Sequence, residues 1–281
     1  MNRIGVIGLG RMGTAIATRM AGQGCDVSGF TRSGRLVPGV DSAADLASLA
    51  ARSDTLILSL LDDTAVAQTL DALLALDLAG KQIIDTSTVV PDILKDRIAR
   101  IEAAGATAVD APISGGPDLV LAGKCGVFIG GSDRAAERAT TTLAAVSERI
   151  FHVGPLGTGL VMKVINNAML QVYFAGLDEV MPMARRAGLP METALRILCG
   201  GPAGLPMMTD RLPKVLGEDP TVGFAISAAC KDNDVFQRAV QSFGLPSPLL
   251  QQSGIPQKRA INAGLGELDV AALISSAYGR G

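Results

Sequence analysis

The chain has 281 residues, and that length suggests two domains. Its 48% content of hydrophobic residues excludes a disordered chain and is ample for a packed core. The net charge is −2, without a long run of lysines and arginines, so neither nucleic acid nor an acidic membrane surface is expected as a partner.

The cysteines and the histidine restrict the chemistry further. Four cysteines lie far apart without a C-x-x-C motif, which argues against a zinc site or a disulfide framework and predicts a cytoplasmic location. The single histidine, His152, makes a histidine-based metal site or a Ser–His–Asp triad a weak interpretation. We therefore expect no metal, a structural role for His152 at the end of a strand, and acid–base chemistry on Lys, Asp, Glu or Tyr.

The first half of the chain alternates between short apolar runs and helix-like segments. The apolar runs predict strands at 4–7, 27–30, 55–60, 82–85, 107–110 and 126–129. The segments between them predict helices at 12–21, 43–51, 64–75, 91–104 and 134–146. This alternation predicts an α/β fold with a Rossmann-type, doubly wound, mainly parallel sheet.

The pattern changes after Phe151. A glycine-rich linker at 154–159 precedes one long predicted helix at 160–187, which Gly188 and Pro190 end. Further helical segments follow without a predicted strand, so we expect an α/β domain over 1–155 and an all-α C-terminal domain over 156–281. The apolar stretch 164–177 is too short and too polar, with Asn166 and Asn167 inside it, to be predicted as a membrane span.

A glycine-rich turn follows the first predicted strand. It matches G-x-G-x-x-G and opens a helix, which is the context that a dinucleotide-binding turn needs. In that interpretation the glycines allow a tight turn, close approach of a pyrophosphate, and packing of the helix on the strand. An ordinary glycine-rich turn is the alternative. The predicted cofactor-binding residues of the turn are Gly8, Leu9, Gly10, Arg11, Met12 and Gly13.

The end of the second strand bears on the choice of nucleotide. An NAD site usually places Asp or Glu there, whereas this chain has Thr31, Arg32 and Ser33, and Asp26 lies at the other end. An arginine fork suits the 2′-phosphate of NADP. We therefore predict NADP as the cofactor, with NAD possible; a solvated surface arginine is the alternative.

A lysine near the start of the long helix is the candidate proton carrier. Hydride transfer to or from a carbon that bears oxygen requires such a group beside the nicotinamide. Lys163 lies in the first turns of the helix, and Asn167 is four residues on, hence on the same helical face. From the spacing alone, a surface lysine near a helix start is an equally good interpretation.

Five motifs together resemble one enzyme family. They are the turn at 8–13, the Asp-Ala-Pro-Ile-Ser-Gly-Gly segment at 110–116, the Gly-Thr-Gly segment at 157–159 with Lys163, Asn166 and Asn167 after it, the Lys231–Asp232 pair, and the segment 264–269. In this order and spacing the chain resembles the β-hydroxyacid dehydrogenases, which include 3-hydroxyisobutyrate dehydrogenase, tartronate semialdehyde reductase and glyoxylate/succinic semialdehyde reductase. The resemblance covers nearly the whole chain.

The resemblance implies roles for individual residues. Lys163 would be the general acid/base of an NAD(P)-dependent enzyme for a small β-hydroxy acid or semialdehyde, and Asn167 would hold the substrate. The substrate and its carboxylate would contact Ser114, Gly115, Gly116, Asn166, Phe224 and Asp232. The cofactor would additionally contact Leu61, Thr88 and Lys231.

The sequence departs from the family after Ser-Gly-Gly, where small residues are usual. The segment 117–124 contains Asp118, Leu119 and Val120, so the pocket shape is expected to differ. Two alternatives remain: an imine reductase-like NADPH enzyme, which would generally lack Lys163, and a non-catalytic NADP-binding interaction module. We expect the apolar long helix to mediate a homodimer or homotetramer.

Overall fold

The computed structural model describes residues 3–281, which form two compact units. The first unit ends at Asn166 and the second spans Asn167–Gly281. The sequence predicts that the nucleotide-binding domain ends at residue 155, and this boundary stays a prediction.

The first unit is built on one sheet. Its strands are Arg3–Ile7 (β1), Asp26–Phe30 (β2), Asp41–Ser42 (β3), Thr55–Leu58 (β4), Gln82–Asp85 (β5), Thr107–Asp110 (β6), Ile113–Ser114 (β7), Gly126–Gly130 (β8) and Arg149–Gly154 (β9). Along the sheet the order is β3-β2-β1-β4-β5-β6-β8-β7, with β9 paired to β8. Pairing is parallel except where β8 meets β6 and β7. This mainly parallel order confirms the predicted Rossmann-type fold class.

Helices pack on both faces of this sheet. They are Arg11–Gly22 (α1), Leu46–Arg52 (α2), Asp63–Leu73 (α3), Asp92–Lys95 (α4), Ile98–Ala103 (α5), Pro117–Leu121 (α6) and Asp133–Leu143 (α7). Successive strand residues point to opposite faces, so Ile83 and Ile84 of β5 belong to two different core clusters. Both faces are buried, which explains why the strands read as continuous apolar runs.

From residue 158 onward the named elements are helices, and the first of them leads from the first unit into the second. The helices are Thr158–Arg186 (α8), Met191–Gly200 (α9), Pro206–Val215 (α10), Ile226–Ser242 (α11), Pro248–Ser253 (α12), Ile255–Asn262 (α13) and Ala272–Gly279 (α14). Residues 157–281 contain only one isolated β-bridge, between Ala225 and Asp269, as the all-α prediction requires. By length and composition alone α8 could cross a membrane, which is weak evidence because core helices of other proteins pass the same test.

Three details differ from the sequence prediction. The helix predicted at 91–104 is two helices, and at the break between them the Arg97 guanidinium donates to the carbonyl of Ile93 and pairs with Asp71. Strands β3 and β7 have two residues each, too few to show a periodicity. His152 lies within β9 rather than at its end, and its Nε2 is 3.0 Å from the carbonyl oxygen of Gly131.

Candidate active site

The glycine turn between β1 and α1 has the geometry that its motif predicts. Gly8 has φ +93°, and a Cβ there would strike the carbonyl oxygen of Ser59, while a Cβ at Gly13 would strike the carbonyl oxygen of Gly8. Gly10 is the N-cap of α1, and a Cβ there would meet nothing within 4 Å. Two glycines therefore make the turn and its packing possible, and the third leaves open space at the helix N-terminus, as a pyrophosphate-binding turn requires.

A cavity lies at the end of β2. Its volume is about 430 Å³, and its lining consists of Phe30, Thr31, Arg32, Gly34, Arg35, Ser42, Ala43 and Ala44. This lining contains two guanidinium groups and no carboxylate. Arg35 also reaches the glycine turn, with Nη1 3.5 Å from the carbonyl oxygen of Leu9. The sequence prediction did not include Arg35, although its charge and position after Arg32 were a usable signal.

The remaining predicted cofactor residues differ in exposure. Leu9 is buried, Met12 is half-buried, and Arg11 is exposed at the first position of α1. After β4, Leu61 is 73% exposed, and after β5, Thr88 is half-buried. Thr31 and Ser33 lie together, with their hydroxyl oxygens 3.5 Å apart.

The predicted carboxylate loop is held in a conformation that only glycine adopts readily. Gly115 follows β7 with φ +128°, and Gly116 is the N-cap of α6. A Cβ at Gly115 would lie 3.0 Å from Cδ1 and 3.2 Å from Cβ of Leu119. The atypical segment 117–124 therefore begins as a short helix, whose Leu119 packs behind the loop.

The C-terminal end of α6 is hydrogen-bonded to α1. Arg19 of α1 donates from Nη1 to the carbonyl oxygen of Leu121 at 3.3 Å and from Nε to that of Ala145 at 3.2 Å. A cation at the C-terminus of α6 also interacts favourably with the helix dipole. Helix α6, whose Leu119 packs behind the predicted carboxylate loop, is thus attached to α1, the helix that follows the glycine turn.

Within the first unit, the structure brings three predicted site residues together. Lys163 is only 5% exposed, and its Nζ donates to the carbonyl oxygen of Ile113, the residue before Ser114. Asn166, on the next turn of α8, donates from Nδ2 to Oγ of Ser114 at 3.0 Å. Lysine is almost never fully buried without a partner, so its tie to this loop separates Lys163 from an ordinary surface lysine.

The remaining predicted site residues, which include the cofactor residue Lys231, lie in the second unit. Asn167 is on α8, Lys231 and Asp232 form an ion pair of 2.9 Å on α11, and the Asp232 side chain is largely buried. The backbone N–H of Phe224, just before α11, donates to Oδ2 of Asp269 at 3.0 Å. The Asp269 carboxylate therefore holds the loop that leads into α11.

Two buried carboxyl groups escaped the sequence prediction. Asp85 and Asp110 end the neighbouring strands β5 and β6 and are paired in register. Asp85 accepts from the Ser87 backbone N–H at 2.9 Å, and its Oδ2 has no hydrogen-bond partner among residues 3–281. Asp110 accepts from the backbone N–H groups of Gly157 and Leu160. The available signal was an aspartate at the last position of two successive predicted strands.

Burial dominates the ionisation of both groups. Loss of water raises the pKa of Asp85 to about 7, and the Asp110 carboxyl adds to that rise while the Ser87 hydrogen bonds oppose it. Burial likewise raises the pKa of Asp110 to about 6, against the lowering effect of the Gly157 and Leu160 amides and of Lys95. Residues 3–281 contain no group of three or more His, Cys, Asp or Glu side chains that could hold a metal.

Two family models match the chain over adjacent segments. The NAD binding domain of 6-phosphogluconate dehydrogenase matches residues 3–154, and the NAD-binding family of NADP-dependent 3-hydroxyisobutyrate dehydrogenase matches residues 157–277.

Individual proteins agree with these matches. An NAD-dependent L-serine dehydrogenase of Pseudomonas aeruginosa is 30% identical over 266 residues, covering 89% of each chain. The 3-hydroxyisobutyrate dehydrogenase of Mycobacterium tuberculosis, solved with L-serine, has a TM-score of 0.87 at 25% identity and covers 98% of this chain and 99% of its own. An imine reductase from Pseudomonas sp. shares the fold, with a TM-score of 0.65 at 22% identity over 98% of this chain and 99% of its own.

The Rossmann-type sheet, its glycine turn and these matches define an NAD(P)-dependent oxidoreductase. More particularly, the chain belongs to the β-hydroxyacid dehydrogenase family.

Replacement of Gly115 by alanine tests the carboxylate loop. We expect Gly115→Ala to raise the KM for a carboxylate-bearing substrate about tenfold or more, because left-handed backbone strain for a non-glycine residue is of order 1–3 kcal/mol. NADPH affinity should change little. Adding Leu119→Ala removes the Cδ1 contact but neither the contact with the Cβ at position 119 nor the backbone strain, so it should restore only part of the loss. Steady-state kinetics and NADPH titration provide the measurements.

The matched control is Gly22→Ala, since a Cβ at Gly22 meets nothing within 4 Å. A Gly115→Ala variant with normal substrate KM, or one that loses only NADPH binding, would assign the loop to another ligand.

Replacement of Asp85 by asparagine tests the raised pKa. Because the folded-state pKa lies above the unfolded value, the folded chain binds more protons than the unfolded chain between about pH 4 and pH 7. The ionised carboxyl therefore costs stability, increasingly as the pH rises through that window. Asp85→Asn should gain free energy of unfolding relative to the unmodified protein between pH 4 and pH 8, by up to about 4 kcal/mol for three pKa units.

Urea unfolding at the two pH values measures this difference, with the exposed Asp26→Asn as the control. An Asp85→Asn difference that is the same at both pH values would contradict the raised pKa.

Proposed function

We propose that this protein is an NADP-preferring oxidoreductase that interconverts a small β-hydroxy acid and the matching semialdehyde, with Lys163 as general acid/base. The observation that carries the proposal is the buried Lys163, whose ammonium group is tied to the backbone just before Ser114. A cation seated beside a preorganised loop of backbone N–H groups suits a substrate with both a carboxylate and a reacting oxygen.

Each proposed residue has one task in the reaction. The bound nicotinamide accepts or supplies the hydride. In the oxidation, neutral Lys163 takes the proton of the substrate hydroxyl, and in the reduction, protonated Lys163 returns it to the carbonyl oxygen. The Ser114 hydroxyl and the backbone of Gly115 and Gly116 bind the carboxylate.

The remaining site residues orient the two ligands. Asn167, one helical turn after Lys163, orients the substrate, and Asn166 orients the Ser114 hydroxyl through its hydrogen bond. Phe224 and Asp232 are proposed substrate contacts, and Lys231 is proposed to contact the cofactor.

The cavity at the end of β2 supports NADP over NAD. Arg32 and Arg35 line it, and no carboxylate in the lining is available to accept the ribose hydroxyls of NAD. Thr31 and Ser33 add hydroxyl donors beside the guanidinium groups. The rest of the proposed cofactor site consists of the glycine turn 8–13, Leu61 and Thr88.

The alternative enzyme class is reduction of an imine, because an imine reductase shares the fold. The buried Lys163 and its tie to the carboxylate loop favour a carbonyl substrate with a carboxylate. A panel of small semialdehydes, keto acids and cyclic imines with NADPH separates the two classes. Cofactor binding without turnover of any panel member would instead support a non-catalytic module.

Replacement of Lys163 tests the acid–base assignment. Lys163→Ala should lower kcat by roughly 10²–10⁴, the range for a positioned acid–base group, with NADPH affinity nearly unchanged. Lys163→Arg should rescue poorly because guanidinium does not deprotonate in this pH range. The ionisation that the pH–rate profile assigns to the acid/base should vanish in the alanine variant.

Lys258→Ala is the control, because Lys258 is an exposed lysine paired with Asp234. Near-normal turnover of Lys163→Ala would refute the assignment and make Lys231 the next candidate.

Replacement of Arg32 tests the cofactor preference. A charge-assisted contact is worth about 1.5–3 kcal/mol, so Arg32→Ala should weaken NADP(H) binding by roughly one to two powers of ten. NAD(H) binding should change little, because NAD lacks the 2′-phosphate. Fluorescence titration with both cofactors measures the ratio, with Arg100→Ala, an exposed arginine paired with Asp71, as the control. Equal affinity of the unmodified protein for NADP and NAD would overturn the preference.

A further inference from the structure

The carboxylate of Asp110 caps the N-terminus of α8. Its Oδ1 accepts from the backbone N–H of Gly157 at 2.6 Å, and its Oδ2 accepts from that of Leu160 at 2.7 Å. The first N–H groups of a helix have no partner within the helix, and the residue before the helix usually supplies one through its side chain. Gly157 has no side chain, so a residue 47 positions earlier in the sequence supplies both acceptors.

Two glycines leave the space that this buried carboxylate fills. Asp110 is fully buried, and a Cβ at Gly159 would lie 2.8 Å from its Oδ2. On the other side, a Cβ at Gly130 would strike Oδ1 and lie 2.8 Å from the Gly159 backbone nitrogen. Glycines at two positions, on β8 and on α8, therefore make room for the carboxylate between strand and helix.

A second hydrogen bond joins the segment after β6 to α8, three residues further along each. Three residues after Asp110, the carbonyl of Ile113 accepts from Lys163, and Lys163 lies three residues after Leu160. Asp110 to Leu160 and Ile113 to Lys163 are thus two attachments with equal spacing on each segment. These two attachments, about one helical turn apart, together with the Asn166–Ser114 hydrogen bond, restrict both the position and the rotation of the first turns of α8.

We infer that Asp110 is a positioning residue for the reaction, which sets the place of the Lys163 ammonium relative to the loop 114–116 by holding the N-terminus of α8. The inference rests on the proposed role of Lys163 as general acid/base. When asparagine replaces Asp110, its side-chain amide keeps one acceptor oxygen, so one of the Gly157 and Leu160 amides loses its acceptor and meets an NH2 group, and the favourable negative charge at the helix N-terminus is lost. The hydrogen bonds from Lys163 to Ile113 and from Asn166 to Ser114 remain, but both lie beyond the first turn of α8, so that turn is held less firmly.

Asp85 provides a matched control. It is a buried aspartate at the end of the adjacent strand, in register with Asp110, and its backbone hydrogen bond comes from Ser87 on its own strand end. Asp85→Asn therefore removes a buried carboxyl without removing an acceptor of α8.

The experiment compares Asp110→Asn with Asp85→Asn in the full-length chain. For Asp110→Asn we expect kcat to fall at least tenfold, while the Kd for NADPH stays within about threefold of the unmodified value. Asp85→Asn should keep both quantities within about twofold. Equal kcat in the two variants, or a parallel loss of NADPH binding in Asp110→Asn, would overturn the inference.

A double-variant cycle separates positioning from a general structural role. Because Asp110 acts through Lys163, Asp110→Asn should cost little further kcat when it is added to Lys163→Ala. The same loss in both backgrounds would overturn the inference. Lys163→Ala alone reports separately on the proposed function, because normal turnover in that variant refutes the function and not the attachment.

Hydrogen exchange tests the attachment in the unmodified protein, so the test does not depend on a variant that folds. The amides of Gly157 and Leu160 should exchange slowly, although helix N-terminal amides without acceptors exchange fast. In Asp110→Asn, exchange of the segment 157–163 should accelerate, and in Asp85→Asn it should not. Unprotected Gly157 and Leu160 amides in the unmodified protein would overturn the inference.

Discussion

A buried carboxylate attached to two backbone amides is the interaction on which the candidate site depends. Asp110 ends a strand of the sheet, and Gly157 and Leu160 begin the helix that carries Lys163. Strand-end residues are fixed by the parallel ladder, which is a rigid part of the fold. The bond carries that rigidity to the start of a helix that would otherwise follow a glycine linker.

The parallel sheet concentrates chemistry at one edge for a geometric reason. Parallel strands all end at the same edge, and their connecting loops supply polar groups there. Gly8 follows β1 and Ser87 follows β5 at this edge. The cost is buried charge, which appears as the raised pKa values of Asp85 and Asp110.

Local patterns in the sequence predicted most of the sheet and the glycine turn. The strands at 82–85 and 107–110 match the structure because buried parallel strands are continuous apolar runs bounded by turns. The break between α4 and α5 was not predicted, and Arg97 at the break pairs with Asp71, a residue 26 positions earlier that no local pattern connects to it. Two-residue strands such as β7 exist only because β8 lies beside them.

The candidate site was harder to predict from residue spacing than the fold was. Spacing alone left Lys163 undecided between a surface residue and a proton carrier, and only the resemblance to a family favoured the second interpretation. The structure adds its burial and its bond to Ile113. The role of Asp110 was out of reach, because its partners lie 47 and 50 residues further along the chain.

The packing of Leu119 behind Gly115 also constrains how this enzyme can change over evolution. Any side chain at position 115 meets both a backbone angle that disfavours it and a leucine in the way, so one substitution is insufficient. Because the two positions are in contact, we expect their substitutions to be epistatic, so that the order in which they mutate matters. On the proposed role of this loop in substrate binding, drift in substrate range is expected to proceed through the exposed residues of α6, while the glycine beside them stays fixed.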